Sequence, residues 1–145
     1  LGERTVEGSW TQHIEGVLEE LRKRIRVEAA IVFGSWARSG GGEWSDIDLL
    51  IISSDASNIN ILDRFTISAE FRRKNIDIFI YTYTELNNMV DKGNPIALSA
   101  LIEGIPIISN KEIEKLKEKA SKMYKRTGRA WTATSPNYRN KINSA

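Results

Sequence analysis

The sequence has no cysteine, one histidine and three prolines in 145 residues. Without cysteine there is no disulfide scaffold, no zinc–thiolate site and no thiol nucleophile. With His13 alone, a multi-histidine metal centre is excluded, and a Ser-His-Asp triad would depend on that one residue. No apolar run approaches the ~18 residues that a transmembrane helix needs. The first residues, Leu1-Gly2-Glu3-Arg4, carry no basic head followed by an apolar stretch, so no secretory signal is read. They also lack an initiator methionine, as a processed or trimmed start would. These absences lead to an expectation of a cytoplasmic protein. What is present is globular in character: 41% hydrophobic, 28% charged, with a mean hydropathy of −0.35. The length suits one domain with a short appendage.

The net charge of +2 conceals an asymmetry. From Lys111 onward ten Lys and Arg face three Glu, a net of +7; the first 110 residues carry eleven positive and sixteen negative charges, a net of −5. An acidic body with a basic end suggests two surfaces with different partners. The plainer reading is a solvated helix with long basic side chains.

Hydrophobic spacing predicts an amphipathic helix over 11–26, with Ile14, Val17, Leu18, Leu21 and Ile25 on its core side. Val27 to Phe33 reads as a buried strand ending at Gly34-Ser35. Ser35 to Arg38 begins a helical turn with Ser35 as its cap, and Ser39 to Gly42 breaks it into a loop. Ile47 to Ile52 is a second strand. Asn58 to Lys74 is a weaker helix with Ile59, Leu62, Phe65 and Ala69 in partial register. Ile76 to Tyr83 is a third strand of period two, with Ile76, Ile78 and Ile80 on one face and Asp77, Phe79 and Tyr81 on the other. Helices follow over Glu85 to Asp91 and Pro95 to Glu103. Ile105 to Ile108 carries a proline and is an edge strand at best. Asn110 caps a last helix with Ile113, Leu116, Ala120 and Met123 on its core side. Past Gly128 the chain reads as polar and irregular. The expected organisation is therefore a two-layer α/β (α+β) domain over 1–128 and a polar tail over 129–145.

One stretch carries chemistry: Phe33-Gly34-Ser35, a ten-residue spacer, then Asp46-Ile47-Asp48. Carboxylates at i and i+2 of a strand share a face, roughly 7 Å apart. Divalent cations are the usual reason to hold them so close. Asp77, mid-strand between two isoleucines, joins the same face if the third strand lies beside the second. Three carboxylates with no nearby His or Cys make an all-oxygen donor set, which favours Mg²⁺ or Mn²⁺. Gly34 permits a close backbone approach. Ser35 at a helix start offers an anion site, and Arg38, one turn on, offers a charge-assisted phosphate contact. An anion site beside a cation site suits a metal-bound nucleoside triphosphate.

These residues resemble the signature of nucleotidyltransferases of the DNA polymerase β superfamily. The fuller run, Phe33-Gly34-Ser35-Trp36-Ala37-Arg38 with Ser45-Asp46-Ile47-Asp48-Leu49-Leu50, is most similar to the small stand-alone minimal nucleotidyltransferases, and Asn75-Ile76-Asp77-Ile78 resembles their third-carboxylate strand. The resemblance covers about residues 12–108. Ser39 departs from it, since many relatives have Gly there. It implies a polymerase-β-like fold, a small mixed sheet with helices packed on one side and an open acidic cleft on the other. It further implies that Asp46, Asp48 and Asp77 hold two Mg²⁺ ions, that Asp77 also assists the acceptor, and that Gly34 and Ser35 hold the β- and γ-phosphates. The implied reaction is in-line attack on the α-phosphate, which moves a nucleoside monophosphate and releases pyrophosphate. Small relatives often act as antitoxins beside a HEPN-domain toxin and add AMP to its tyrosine, which makes ATP the leading donor and a HEPN protein the leading partner.

Competing readings remain at this level. The aspartates would otherwise be strand carboxylates paired with basic residues, although none lies between Glu43 and Asp63 in the sequence. A haloacid dehalogenase-type Asp-x-Asp follows an apolar strand, whereas Leu49 to Ile52 comes after this pair. Trp36 and Trp44 flank the glycine loop and read as packing rather than base-stacking residues. His13 reads as structural. The chain would alternatively be a binding module that neutralises a partner by contact, or the catalytic piece of a larger RNA-directed transferase. The basic helix has little interleaved aromatic surface, so nucleic acid is the lesser reading.

Overall fold

The structure, a computed structural model, describes residues 2–38 and 46–134, with side chains over 10–37 and 46–134. Six α-helices and six strands follow one another among the described residues: α1 (Gly2–Arg22), β1 (Ala29–Phe33), α2 (Gly34–Arg38), β2 (Ile47–Ile52), α3 (Ile61–Phe71), β3 (Ile76–Tyr81), α4 (Tyr83–Asp91), α5 (Pro95–Leu98), β4 (Ile105–Ile108), α6 (Lys111–Met123), β5 (Tyr124–Thr127) and β6 (Ala130–Ala133). Short 3₁₀ turns flank α3, and a π-helical turn, Ser99–Glu103, extends α5. The main sheet is mixed, in the order β3-β2-β1-β4. β1 is antiparallel to both its neighbours, whereas β2 and β3 run parallel, joined through α3 as parallel strands must be by a crossover.

Strand alternation divides the core. Ala30, Val32, Ile47, Leu49, Ile51, Ile76, Ile78 and Ile80 face α1 and α3. Ala29, Ile31, Phe33, Leu50, Ile52, Phe79 and Tyr81 face α4, α5 and α6. The sheet is thus covered on both sides, and the expectation of helices on one side alone is corrected. The cause is that all five residues of β1 and five of the six in β2 are buried, which a one-sided sheet would not require. Ile14, Val17, Leu18 and Leu21 of α1 are each at most 1% exposed; burying such side chains contributes about 1.5–3 kcal/mol apiece.

Three further expectations shift. The first helix ends at Arg22, although Ile25 beyond it still packs in the core. The predicted 58–74 helix is really α3 between two 3₁₀ turns, capped by Asn60, whose side chain accepts from the Asp63 N–H. Its inward face carries Arg64, Ile67, Ser68 and Phe71, at helical spacing, while Leu62, Phe65 and Ala69 face outward. Finally, residues beyond Gly128 are not irregular throughout. Gly128, at φ 63°, turns β5 back on β6. Arg126 lies 4.6 Å over the Trp131 ring and donates to both Glu103 oxygens at 2.6 and 2.7 Å. That contact ties the hairpin to the π-helical turn, and it is tertiary, so local pattern alone does not announce it. No helix among the described residues is long and apolar enough to cross a membrane.

Candidate active site

Asp48 and Asp77 are direct partners in the β2–β3 register. Parallel strands lie ~4.8 Å apart, so the two side chains leave the same face of the sheet as neighbours. On its other side Asp48 is paired with Phe33, the last residue of β1. The chain turns there into Gly34, whose φ is 85°. A Cβ at Gly34 would overlap Asp48 Oδ2. Both the backbone conformation and the packing against that carboxylate therefore demand glycine. Phe33 and Phe79, with ring centroids 5.5 Å apart, pack on the same face beside the two aspartates.

Asp46 is exposed on the lead into β2, on the same side of the alternation as Asp48. Asp77 is half-exposed, and Arg72 Nε lies 4.0 Å from its Oδ1. This basic neighbour comes from the turn before β3, not from the segment around the Asp-x-Asp pair. Ser35 is exposed, but α2 begins at Gly34, so Ser35 sits inside its first turn and is not its cap. The backbone of Arg38 closes α2, while its side chain lies outside the described residues, as do Ser39, Gly40 to Gly42, Trp44 and Ser45. Trp36 is 4% exposed and packs edge-on to Trp10 at 5.1 Å, a packing role as expected. His13 Nε2 donates to the Lys74 carbonyl at 2.8 Å and is structural.

The structure thus brings together Gly34, Asp48 and Asp77, with Asp46 and Ser35, both exposed, close by in sequence. Among the described residues no three His, Cys, Asp or Glu side chains are gathered into a group that holds a metal ion as they stand. The donor chemistry nonetheless fits a hard divalent cation: two in-register carboxylates, a third on the adjoining exposed residue, and oxygen donors only.

Sequence reasoning missed Arg64 and Glu85. Arg64 is 13% exposed in its side chain, and Nη1 donates to Glu85 Oε1 at 2.8 Å and Oε2 at 3.1 Å. It also donates to the carbonyls of Ile59, Ile80 and Ala56. Glu85 in turn accepts from the Thr82 N–H while Thr82 accepts from the Glu85 N–H, a capping box that starts α4. The Thr-x-x-Glu spacing was the available signal for Glu85; an arginine in mid-helix gives none.

Burial pushes the Glu85 carboxyl up, but the hydrogen bonds from Arg64 and Thr82, with the Arg64 charge, outweigh it and hold it below the usual carboxylate value. A carboxyl depressed on folding contributes stability above its unfolded pKa and loses it as pH falls through the folded one. The stability advantage of the wild type over Glu85→Gln is therefore expected to shrink as pH falls from about 6 to about 3. Denaturant titrations of both proteins across that range check it, and a difference that stays constant refutes it.

The family profile "Polymerase beta, Nucleotidyltransferase" matches residues 15–113. That span covers more than half of the chain, and the chain belongs to this family of nucleotidyltransferases. No curated protein sequence matches it. Among solved structures, it is similar to a protein assigned to the nucleotidyltransferases from Sulfolobus solfataricus, at 27% identity and a TM-score of 0.45, over 53% of this chain and 70% of that one. It is also similar to a mutant of the toxin-antitoxin MntA-HpeT, at 14% identity and a TM-score of 0.46, over 75% and 84% of the two chains. A toxin-antitoxin structure with AMP-PNP matches at 16% identity and a TM-score of 0.46, over 77% and 84%.

Proposed function

We propose that this nucleotidyltransferase moves AMP from ATP to an acceptor hydroxyl at the face shared by Asp48 and Asp77. The observation that carries the reading is their in-register pairing, with Gly34 packed on Asp48, in a chain of this family. Asp46, Asp48 and Asp77 are the residues that would hold Mg²⁺, which when bound supplies charge stabilisation at the α-phosphate and at the leaving pyrophosphate. Asp77, on the outer strand, is assigned to take the proton of the arriving hydroxyl. The acceptor oxygen forms a bond to the α-phosphorus, the bond from that phosphorus to the bridging oxygen breaks, and pyrophosphate leaves with the electron pair. Gly34 and Ser35 are assigned to the β- and γ-phosphates, since Gly34 packs against Asp48 and Ser35, beside it, is exposed. Arg38, on the same short helix, is assigned to the phosphates by its sequence position. The sequence resemblance supports a HEPN-domain toxin as the acceptor-bearing partner.

The test is label transfer. With the chain, Mg²⁺ and a candidate acceptor protein, label from α-labelled ATP is expected on the acceptor, and label from γ-labelled ATP is not. Transfer of the γ label would make the reaction a phosphorylation and overturn the reading, as would α-label transfer undiminished by chelation of Mg²⁺.

A further inference from the structure

Asn75 has the left-handed backbone conformation, φ 61° and ψ 35°, and is the one non-glycine residue with positive φ among the described residues. That conformation is costly for a residue with a side chain, and least so for asparagine. A residue keeps it only where its surroundings hold it there, and such residues gather at functional sites. Here the holds lie on both sides. The Asn75 N–H donates to the Arg72 carbonyl at 3.0 Å and closes the 3₁₀ turn Arg72–Lys74 that follows α3. The Lys74 carbonyl accepts from His13 Nε2 at 2.8 Å, and Lys74 Nζ donates to Glu20 Oε1 at 2.8 Å, so α1 anchors the turn. The Asn75 carbonyl accepts from the Ile47 N–H at 2.9 Å.

The last of these bonds lands in the proposed site. Ile47 stands between Asp46 and Asp48, and Asp77 follows Asn75 by two residues. One backbone unit thus ties the two carboxylate segments together. It also starts the β2–β3 ladder, in which Ile47 partners Ile76 and Asp48 partners Asp77. Side chains alternate along a strand, so a slip of one residue would turn Asp77 to the face opposite Asp48. Had residue 75 continued the right-handed turn, its carbonyl would point along the helix axis instead of toward Ile47. The left-handed step redirects the carbonyl and lets Ile76 enter the strand at once. The Asn75 side chain is exposed, so its backbone conformation is what the site uses.

We propose that Asn75 is a positioning residue: its left-handed turn fixes where β3 begins and, through its carbonyl, holds the Asp46–Asp48 segment in register, so that the carboxylates meet one divalent cation. The inference rests on the metal-dependent transfer reading and adds to it the residue that sets the register of the carboxylates.

The probe is Mn²⁺, titrated into the full chain without nucleotide, with the free ion followed by electron paramagnetic resonance. The proteins are wild type, Asp48→Asn, Asn75→Gly, Asn75→Ala and Asn75→Val, each matched by a thermal unfolding curve. Glycine takes the left-handed conformation freely, so Asn75→Gly is expected to bind Mn²⁺ within about twofold of wild type. A β-branched residue takes it worst, so Asn75→Val is expected to weaken Mn²⁺ binding by about tenfold, with Asn75→Ala between them. Asn75→Ala carries the test should Asn75→Val fail to fold. Exchange of the Ile47 amide hydrogen, read by NMR, is expected to quicken in the same order. A residue that only stabilises the fold would lower the unfolding midpoints and leave Mn²⁺ affinity unchanged, and that result overturns the inference. So does Asn75→Gly binding as weakly as Asn75→Val, which would assign the role to the side chain. Mn²⁺ binding indifferent to Asp48→Asn overturns the site reading and the inference with it. Binding that needs Asp48 but ignores Asn75→Ala and Asn75→Val overturns the inference alone.

Discussion

Asp48→Asn is expected to reduce nucleotidyl transfer by about a thousandfold while the protein stays folded. The substitution keeps the side-chain shape and removes the charge. Asp48 is central to the proposed site: it is paired with Phe33 on one side and Asp77 on the other, with Gly34 against its carboxylate. Its loss removes a donor from the carboxylate pair and a fixed negative charge beside the reacting phosphate. Charge stabilisation of that kind is worth several kcal/mol, and each ~1.4 kcal/mol is tenfold in rate. The fold is spared because the backbone pairing of β2 does not involve the side chain, and asparagine is no larger. Steady-state transfer rates with matched thermal unfolding curves make the measurement. Activity within about threefold of wild type would move the reaction away from this pair.

Arg64→Ala is expected to destabilise the protein by about 3 kcal/mol, chiefly because three carbonyls lose their donor, with a smaller share from the ion pair to the partly exposed Glu85. For a chain of this size that is a fall of roughly 10 °C in Tm. The guanidinium joins four pieces of the structure: the 3₁₀ turn before α3, α3 itself, the end of β3 and the start of α4. Arg64→Lys is expected to fall between the two, since an ammonium serves as a point charge to Glu85 but cannot fan out to the carbonyls. Differential scanning fluorimetry of the three proteins decides it. Equal midpoints for wild type and Arg64→Ala would mean that solvent replaces the whole network at little cost.

The residues of the proposed carboxylate site were easy to single out in the sequence because most of their signal is local, and the structure pairs two of them, Asp48 and Asp77. Gly34, Asp46 and Asp48 lie within one strand–turn–strand unit, and Asp77 marks itself as a lone charge among isoleucines. Period-two alternation assigned the face of β3 correctly, as burial of Ile76, Ile78 and Ile80 shows. The face of α3 was not legible. Leu62, Phe65 and Ala69 form a plausible apolar stripe, yet the helix buries Arg64, Ile67, Ser68 and Phe71 instead, since hydrogen bonds to the β3 edge fix its rotation. Hydrophobicity cannot rank a stripe containing arginine and serine above one of leucine and phenylalanine. The β5–β6 hairpin was missed for a related reason: Arg126 reads as solvated charge until Glu103, 23 residues earlier, is placed beside it. The second helical layer escaped because the resemblance supplied a one-sided picture that the buried apolar runs already contradicted.

The edges of the four-stranded sheet bear on how this protein behaves when concentrated. At one edge β4 contains Pro106, which brings no N–H. At the other, the Ile78 and Ile80 carbonyls are occupied by side chains from α3. An unprotected edge beside an apolar patch is the usual seed for open-ended polymerisation, in which each added chain exposes the next template. Here the patch on α3, with Leu62 and Phe65, adjoins an edge at which two of the outward carbonyls already have side-chain donors. A second chain meeting that edge therefore finds fewer free acceptors from which to extend the sheet.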